Sequence, residues 1–468
     1  MRLTRRALIA STAAAAATGI VASLASADRT VPRGTLPTGL WRSRTTADLL
    51  AVDRSACRTY TRYDTMMALV DESPRDGIEK ELIEARLETD PGRGDRLELE
   101  YWGTVTRFVY DREADWPAMR RLGGDDWISD PSRTVDAFFK AVSGHFAFAP
   151  EAGIDWTDLR AETDAALRRG SSEPGALFDA LAAALRRLED GHGSLRGMGR
   201  YAASRDGPDR FYQSWKAAGG NPVGGDYSDG FSRDWLHHVS DRVLAGAGHR
   251  AARDTVAWGR LRSGLGYIAL MACEGLSHDE GGQADVAAAR QVFDRVMRDL
   301  ADTRGIVVDM RYNYGGWDRV PLSLAAHFTD RPLPAFTKQP VRRGIGLDVQ
   351  TIGIVPAAGP RHAGPLAVLT SDATISAAEV GTIGFRALPN VRTFGTATYG
   401  ALSDPFYFRL PNGWRGAVSN EIYRASDGRV YEGTGIPPDR PSAAPSASDF
   451  REVVDSQLRD AEAWLLSL

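Results

Sequence analysis

Short apolar runs alternate with amphipathic segments from about Leu261 onward, and this alternation most limits what the chain can fold into. Three runs read as buried strands: GLGYIAL, RGIVVDM and PLAVLT. Segments with apolar residues at helical spacing follow them, namely ADVAAARQVFDRVMRDLAD, VPLSLAAHF and SAAEVGTIGFRAL. Strands that alternate with helices are typical of βαβ units with right-handed crossovers. The sequence therefore predicts an α/β core over residues 255–445, and a C-terminal helix within residues 446–468.

The part of the chain before this core has a different pattern. Alternating apolar and polar positions, separated by turn-rich breaks, predict a small antiparallel β module over residues 38–111. Helical spacing predicts a cap domain over residues 112–200. Residues 201–254 begin with a stretch rich in Gly, Asp, Pro and aromatic residues, so we expect a connecting loop and one helix there.

Residues 1–27 resemble an export signal. Arg5 and Arg6 precede an alanine-rich, mildly apolar stretch that ends in the small-x-small sequence ASA. This order is similar to that of twin-arginine signals and predicts cleavage before Asp28. An uncleaved membrane anchor is the alternative, although the apolar part is short. The sequence predicts a secreted or extracytoplasmic protein without stable membrane association after signal cleavage.

Composition argues against several classes of protein. The net charge is −4 and the pI is near 6.1, and no basic tract indicates a nucleic-acid partner. The chain has only two cysteines, Cys57 and Cys273, which lack metal-ligand spacing. We therefore expect neither a metal nor another cofactor. Whether the two cysteines pair stays open.

Ser376 lies in TISAAEVG, between the strand PLAVLT and a predicted helix. Free backbone N–H groups and the helix dipole at a helix start favour an oxyanion, so a serine there is a candidate nucleophile. An N-cap serine is an equally good interpretation, because Glu379 follows at the spacing of a capping box. No Gly-x-Ser-x-Gly elbow is present, so the chain does not match the α/β-hydrolases.

A glycine pair follows the strand RGIVVDM, in the sequence DMRYNYGG. Adjacent glycines let the backbone approach a ligand closely and direct N–H groups toward it. The sequence lacks a P-loop lysine and a Gly-x-Gly-x-x-Gly pattern, so phosphate binding is not indicated. A plain turn between strand and helix is the alternative.

Three segments together resemble the C-terminal processing, or tail-specific, serine peptidases. DMRYNYGG is similar to their Asp-Leu-Arg-x-Asn-x-Gly-Gly signature, and LTSDATISAAEV to the segment in which a serine precedes Ala-x-Glu. YEGTGIPPD is similar to their closing Glu-x-x-Gly-x-x-Pro-Asp element. The resemblance implies a crotonase/ClpP-like core and a peptide or protein substrate.

This chain departs from the branch of the family that uses a Ser-Lys pair. Ala401 stands in TYGAL where that branch has its lysine, and no lysine follows Lys338. Residues 200–255 are also too few and too polar for the peptide-binding domain of that branch. The resemblance is therefore to the other branch, which includes the tricorn core and retinoid-binding-protein-like modules. Its active members use Ser, His and Glu.

That branch implies a catalytic set of Ser376, His192 and Glu432. His192 lies in LEDGHGSL, which resembles the Asp-x-His segment that closes the helical cap, and Glu432 is the glutamate of YEGTG. His192 would accept the proton of Ser376, and Glu432 would orient the imidazole. His278 is the alternative base, and His145 is interpreted as structural.

The oxyanion hole would combine the backbone N–H of Ala377 with that of Gly315 or Gly316, and the sequence does not decide between the glycines. The resemblance thus predicts an exported serine-type endopeptidase. Two alternatives stay open. One is a non-catalytic ligand-binding module on the same core, and the other is an esterase with the same triad.

Overall fold

The computed structural model shows a mixed α/β protein with several β-sheets. None of the helices in its described part is long and apolar enough to cross a bilayer. The export signal predicted over residues 1–27 lies outside that part. The structure describes residues 35–46, 48–90, 94–124, 126–169, 174–207, 210–220, 227–444, 446 and 455–468.

An eight-stranded sheet forms the N-terminal module and continues beyond the predicted boundary at residue 111. Its elements are β1 (Gly39–Ser43), β2 (Leu49–Val52), β3 (Ala56–Arg62), β4 (Met66–Pro74), α1 (Arg75–Glu81), β5 (Leu82–Asp90), β6 (Gly94–Tyr101), β7 (Arg107–Glu113) and β8 (Arg120–Leu122). The strand order is β5-β6-β7-β1-β2-β3-β4-β8, and only β4 and β8 pair in parallel. Neighbouring residues such as Leu40 and Trp41 belong to different apolar clusters, because side chains alternate between the two faces of a strand.

The cap contains three helices and leads into a β-hairpin. Its elements are α2 (Pro131–His145), α3 (Trp156–Arg169), α4 (Pro174–Arg186), β9 (Ser194–Gly197) and β10 (Arg200–Ala203). The apolar faces of the helices place Phe138 and Leu181 in one cluster with Phe408 and Trp414, which come from the core. The cap is therefore packed directly on the core.

Residues 201–254 hold more regular structure than the loop and single helix that we expected. They contain α5 (Arg210–Ala217), α6 (Tyr227–His237), a π-helical segment (His238–Val243) and β11 (His249–Ala251). Phe211, Phe231 and Trp235 are buried there with edge-to-face or tilted rings. The aromatic residues that made this segment resemble a loop form a local apolar core instead.

The remaining elements build the core. In chain order they are β12 (Val256–Arg260), β13 (Gly266–Leu270), α7 (Gly282–Asp299), β14 (Ile306–Asp309), β15 (Tyr312–Asn313), α8 (Arg319–Ala325), a 3-10 turn (Ala326–Phe328), β16 (Leu333–Arg342), β17 (Ile345–Gly346), β18 (Gln350–Ile354), β19 (Leu366–Thr370), β20 (Ala373–Thr374), α9 (Ala377–Arg386), β21 (Val391–Gly395), β22 (Pro405–Arg409), β23 (Arg415–Ser419), β24 (Glu421–Ala425), β25 (Arg440–Pro441) and α10 (Ser456–Leu466).

A seven-stranded sheet in the order β11-β12-β13-β14-β19-β21-β25 lies at the centre of the core. Its strands run parallel from β13 to β25. The three predicted strands are β13, β14 and β19, which lie side by side with every residue buried. Full burial is expected for parallel strands that are covered on both faces. The carboxyl ends of β14 and β19 lead to the glycine pair and to Ser376.

A second sheet joins the cap to the core. Its order is β10-β9-β23-β22, so a strand that follows the cap pairs with a strand of the core. Ser194 lies opposite Ala417 and Leu195 opposite Gly416 in this antiparallel pair. The turn that immediately precedes β9 is thereby held against the core.

A buried ion cluster attaches the C-terminal helix to the central sheet. Arg311 donates to Asp309 Oδ2 at 2.6 Å and to Asp455 Oδ2 at 2.7 Å. Asp455 is also the N-cap of α10, where its side chain accepts from the N–H of Leu458. Arg311, the arginine of DMRYNYGG, therefore has a structural role, because it links the end of β14 to the start of α10.

We predict that Arg311→Leu destabilises the protein strongly, because Asp309 and Asp455 would stay buried without their cation. Breaking a buried pair in this way costs about 3–5 kcal/mol. Urea denaturation followed by tryptophan fluorescence would measure the change. Arg298→Leu, at an exposed position of α7, should change the free energy of unfolding by less than about 0.5 kcal/mol. Equal unfolding curves for the two variants would contradict the structural role.

Candidate active site

Ser376 precedes α9 in a backbone conformation that is rare for residues other than glycine. Its φ is 56° and its ψ is −124°. Such a conformation costs about 1–3 kcal/mol and persists only where the surroundings fix it, often at functional sites. The N–H of Ser376 donates to Glu379 Oε2 at 3.2 Å, which is the glutamate half of a capping box. The cap interpretation thus accounts for the backbone of Ser376, while its hydroxyl has another partner.

That partner is His192. Its Nε2 atom lies 3.2 Å from Ser376 Oγ, although the two residues are 184 positions apart in the chain. One comes from the turn that ends the cap and the other from the core. The distance is at the outer end of the range expected between a nucleophile and its base.

Asp190 fixes the turn that carries His192. Its Oδ1 accepts from the N–H of His192 at 3.0 Å and from Ser419 Oγ at 2.6 Å, and its Oδ2 accepts from the N–H of Ser419 at 2.8 Å. Ser204 Oγ accepts from the N–H of Asp190 at 3.0 Å. The carboxylate therefore links the His192 turn to the end of β23.

Burial keeps the His192 imidazole neutral. It lowers the pKa of His192, while the carboxylates of Asp190 and Asp404 and the carbonyl of Ser403 act in the opposite direction. The net pKa stays below that of an ordinary histidine. Nδ1 is buried and makes no hydrogen bond to any described residue. A neutral imidazole with Nε2 toward a serine hydroxyl can accept its proton.

Two backbone N–H groups beside Ser376 are available to an oxyanion. The N–H of Gly315 donates to Asn313 Oδ1 at 2.9 Å, so it is already used. The N–H groups of Gly316 and Ala377 donate to no acceptor within the described ranges. Gly315 is nonetheless in close contact with Ser376, because a Cβ at position 315 would lie 2.7 Å from Ser376 Cβ.

Glu379 holds the neighbouring segment of chain in place. Its carboxylate is fully buried and accepts from Thr398 Oγ1 at 2.6 Å and from the N–H groups of Gly400 and Ala401, each at 2.7 Å. Burial raises the pKa of Glu379 to about 7, although these donors lower it. The same side chain thus supports both the Ser376 turn and residues 398–401.

Ala401, which stands where the Ser-Lys branch has its lysine, lies against the His192 turn. A Cβ at Gly191 would be 2.5 Å from the Cβ of Ala401, and Ala401 has no exposed surface. The small residues at positions 191 and 401 therefore allow the cap turn to approach the core closely.

Glu432 is not hydrogen-bonded to the imidazole. Its Oε2 accepts from the N–H groups of Leu402 and Ser403, at 2.8 and 2.9 Å. Its Oε1 lies 3.5 Å from Ser419 Oγ. Burial and the nearby Asp190 raise the pKa of Glu432 well above that of an ordinary glutamate. The structure thus brings Glu432 to the segment beside His192 and not to its ring.

Lys338 lies in a buried cluster behind this segment. Its Nζ is 2.8 Å from Asp404 Oδ2 and 2.7 Å from Glu421 Oε2, and it donates to Tyr423 OH at 2.7 Å. Thr106, from the N-terminal module, donates to Asp404 Oδ2 at 2.9 Å. Since Lys338 has these partners and not Ser376, the structure shows no Ser-Lys pair.

The charges of this cluster support one another. Burial alone would lower the pKa of Lys338, but the nearby carboxylates of Asp404 and Glu421 have a larger effect, so the pKa of Lys338 is raised overall. Burial alone would raise the pKa of Asp404, but the charge of Lys338 lowers it by more. The pKa of Asp404 is therefore lowered overall and its carboxyl group stays ionised. Asp404 is therefore a half-buried anion that favours the charged form of His192.

The other residues singled out in the sequence lie elsewhere. His278, the alternative base, is exposed and has no hydrogen bond to Ser376. Cys57 and Cys273 are both buried and free. Sequence reasoning missed Asp190, Asp404 and Lys338, because single carboxylates and lysines at those spacings match no motif. The Asp-x-His pattern around His192 is the one signal that includes Asp190.

Comparison with known proteins matches residues 264–442 to the model of peptidase family S41. A candidate peptidase from Parabacteroides merdae has a similar fold, with a TM-score of 0.58 and 20% identity over 72% of this chain and 98% of its own. A serine-to-alanine mutant of CPAF matches with a TM-score of 0.50 and 11% identity, over 72% of this chain and 98% of its own. These likenesses concern the fold.

The chain is a serine-type peptidase. Residues 264–442, which contain β13, both motif glycines, Ser376 and Glu432, are the part of the chain that matches the model of peptidase family S41. His192 lies outside the matched segment and comes from the cap.

We predict that Gly315→Ala disrupts the site. The added Cβ would lie 2.7 Å from Ser376 Cβ and 2.8 Å from the carbonyl oxygen of Ile375, at a φ of +95°. Ser376 would have to move away from His192. Labelling by a fluorophosphonate serine reagent should therefore fall at least about tenfold, because small displacements of a catalytic group have effects of this size or larger.

Gly428→Ala is the matched control. Its φ is +80°, so the strain on the backbone is similar, but a Cβ there meets nothing within 4 Å. This variant should keep normal labelling. Equal labelling of the two variants would show that the contact at position 315 does not set the geometry of Ser376.

Proposed function

We propose that the protein hydrolyses peptide bonds through an acyl-enzyme on Ser376, with His192 as the base. The observation that carries the proposal is the 3.2 Å distance between His192 Nε2 and Ser376 Oγ. It occurs at a strained serine with two unused N–H groups beside it. A capping serine needs neither the imidazole nor the two donors.

The reaction would follow the steps of a serine peptidase. Ser376 Oγ attacks the carbonyl carbon of the scissile bond, and its proton passes to His192 Nε2. The N–H groups of Gly316 and Ala377 donate to the oxygen that becomes negative, because they have no partner among the described residues. His192 then gives the proton to the leaving amine, and water attacks the acyl-enzyme by the same route.

Electrostatics supports His192 in this role. The imidazole is neutral before the reaction because burial lowers its pKa. Asp190 and Asp404 favour the charged form that appears when it takes the proton. The site therefore supplies a base that is unprotonated at neutral pH and a negative environment for the imidazolium.

We propose that Glu432 orients His192 indirectly. It accepts hydrogen bonds from the N–H groups of Leu402 and Ser403, and so holds the segment whose Ser403 carbonyl favours the charged imidazole, although Nδ1 makes no hydrogen bond to a described residue. The raised pKa of Glu432 fits a role that does not need its charge. This assignment differs from a triad in which the carboxylate contacts the imidazole directly.

Two finer features are also proposals. We propose that the core is of the crotonase/ClpP-like type, which the parallel strands β13, β14, β19 and β21 support. We propose that the peptidase acts outside the cytoplasm. This proposal rests only on the resemblance of residues 1–27 to an export signal. Recovery of the chain from the cytoplasmic fraction with these residues intact would contradict export.

We expect Ser376→Ala to abolish fluorophosphonate labelling and hydrolysis of a quenched-fluorescence peptide library. His192→Gln should lower kcat/KM by about 10⁴–10⁶-fold, as in other serine peptidases. His278→Gln is the matched control and should leave kcat/KM unchanged. Full hydrolysis by Ser376→Ala with an intact fold would refute the proposal, and turnover of p-nitrophenyl esters without peptides would favour an esterase.

Two substitutions at Glu432 separate the indirect role from a direct one. Glu432→Gln keeps a carbonyl oxygen for the N–H groups of Leu402 and Ser403, so we expect kcat to stay within about tenfold of wild type. Glu432→Ala removes the acceptor and should lower kcat much further. The N–H groups of Leu402 and Ser403 would then lose their hydrogen bonds, each of which contributes about 1–3 kcal/mol. If both variants lose activity equally, the charge of Glu432 is needed and the indirect role is wrong.

A further inference from the structure

A cavity of about 1050 Å³ lies between the N-terminal module, the cap and strand β16. It is lined by the end of β3 and the turn that follows it on one side, by the end of α2 on another, and by Val341 to Gly344 on the third. Neither Ser376 nor His192 contributes to its wall. The volume is at the upper end of the range for small-molecule sites.

The wall of this cavity is positively charged. Its cationic side chains are Arg42, Arg62, Lys140, Arg342 and Arg343. Its carboxylates are Asp64 and Glu151. Lys140 pairs with Asp64, whereas Arg342 and Arg343 form no ion pair with any carboxylate that the structure describes. Two neighbouring guanidinium groups are therefore without a counter-charge at the cavity.

Two polar atoms in the wall lack hydrogen-bond partners. Thr61 Oγ1 and His145 Nδ1 are buried and form no hydrogen bond with the described residues. Thr61 is only 3% exposed. Such atoms are uncommon in proteins, but these two have almost no accessible surface and therefore do not contact the space inside the cavity.

The arginines lie close enough to His145 to affect its titration. Burial, together with the smaller effects of Arg342 and Arg343, lowers the pKa of His145 to about 3. The neutral ring packs on Phe406, with 3.8 Å between ring centroids. An anion near His145 would offset the field of the two arginines and raise this pKa.

The cavity also offers apolar surface. Tyr63, Phe146 and Trp156 line it together with Met119 and Ile422. A pocket with aromatic and aliphatic walls and a few polar groups is typical of sites for organic ligands, whereas an inorganic ion alone would fill little of the space.

We propose that this cavity binds a small organic anion, whose carboxylate, sulfonate or phosphate group pairs with Arg342 and Arg343 and whose apolar body contacts Tyr63, Phe146 and Trp156. The site is separate from Ser376 and does not depend on the proposed peptidase mechanism.

Binding of 8-anilinonaphthalene-1-sulfonate, an aromatic sulfonate, tests this proposal on the full chain by fluorescence titration. We expect one saturable site. The double variant Arg342→Ala/Arg343→Ala should weaken binding at least about tenfold, because hydrogen bonds to charged groups contribute about 1.5–3 kcal/mol each. Inorganic phosphate should compete with the dye, and the pKa of His145, followed by NMR of labelled histidine, should rise in the complex.

Arg168→Ala/Arg169→Ala is the matched control, since both arginines are exposed on the cap at the end of α3 and do not line the cavity. It should bind the dye like wild type, and near-UV circular dichroism should show that all variants are folded. Equal dye affinity for the two arginine double variants would overturn the anion site. The same conclusion would follow if the wild-type protein bound uncharged N-phenyl-1-naphthylamine as tightly as it binds the sulfonate dye.

Discussion

Asp190 is a buried carboxylate that accepts hydrogen bonds from both sides of the boundary between cap and core. It holds the N–H of His192 on the cap side, and the N–H and hydroxyl of Ser419 on the core side. Pairing of β9 with β23 begins a few residues further on and keeps the same two segments in register. The contact between His192 and Ser376 depends on this junction, because the two residues are 184 positions apart in the chain and only the packing of cap on core brings them together.

The site combines backbone strain with buried charge. Ser376 is kept in an unfavourable conformation by the N–H bond to Glu379 and by the close approach of Gly315. Lys338 is fully buried and pairs with the partly exposed Asp404, so this carboxylate stays ionised near His192. Thr106 donates a hydrogen bond to Asp404 and accepts one from Lys338, so the N-terminal module helps to support the site.

The sequence was sufficient for features that local pattern or motif encodes. Apolar runs predict β13, β14 and β19, and the resemblance singles out Ser376 and His192, whose side chains lie 3.2 Å apart. Long-range partners were not predictable in this way. The choice of Gly316 over Gly315 depends on Asn313, whose side chain uses the Gly315 N–H. The expected loop at residues 201–254 was wrong because aromatic residues that suggested irregular chain pack on one another.

The contact between Gly191 and Ala401 leaves no space for a longer side chain at either position, since even a methyl group at position 191 would overlap Ala401. A lysine at position 401 would fit only if the His192 turn moved away from the core. The size of residue 401 and the distance between His192 and Ser376 are therefore coupled, and a larger residue at position 401 would separate these two side chains.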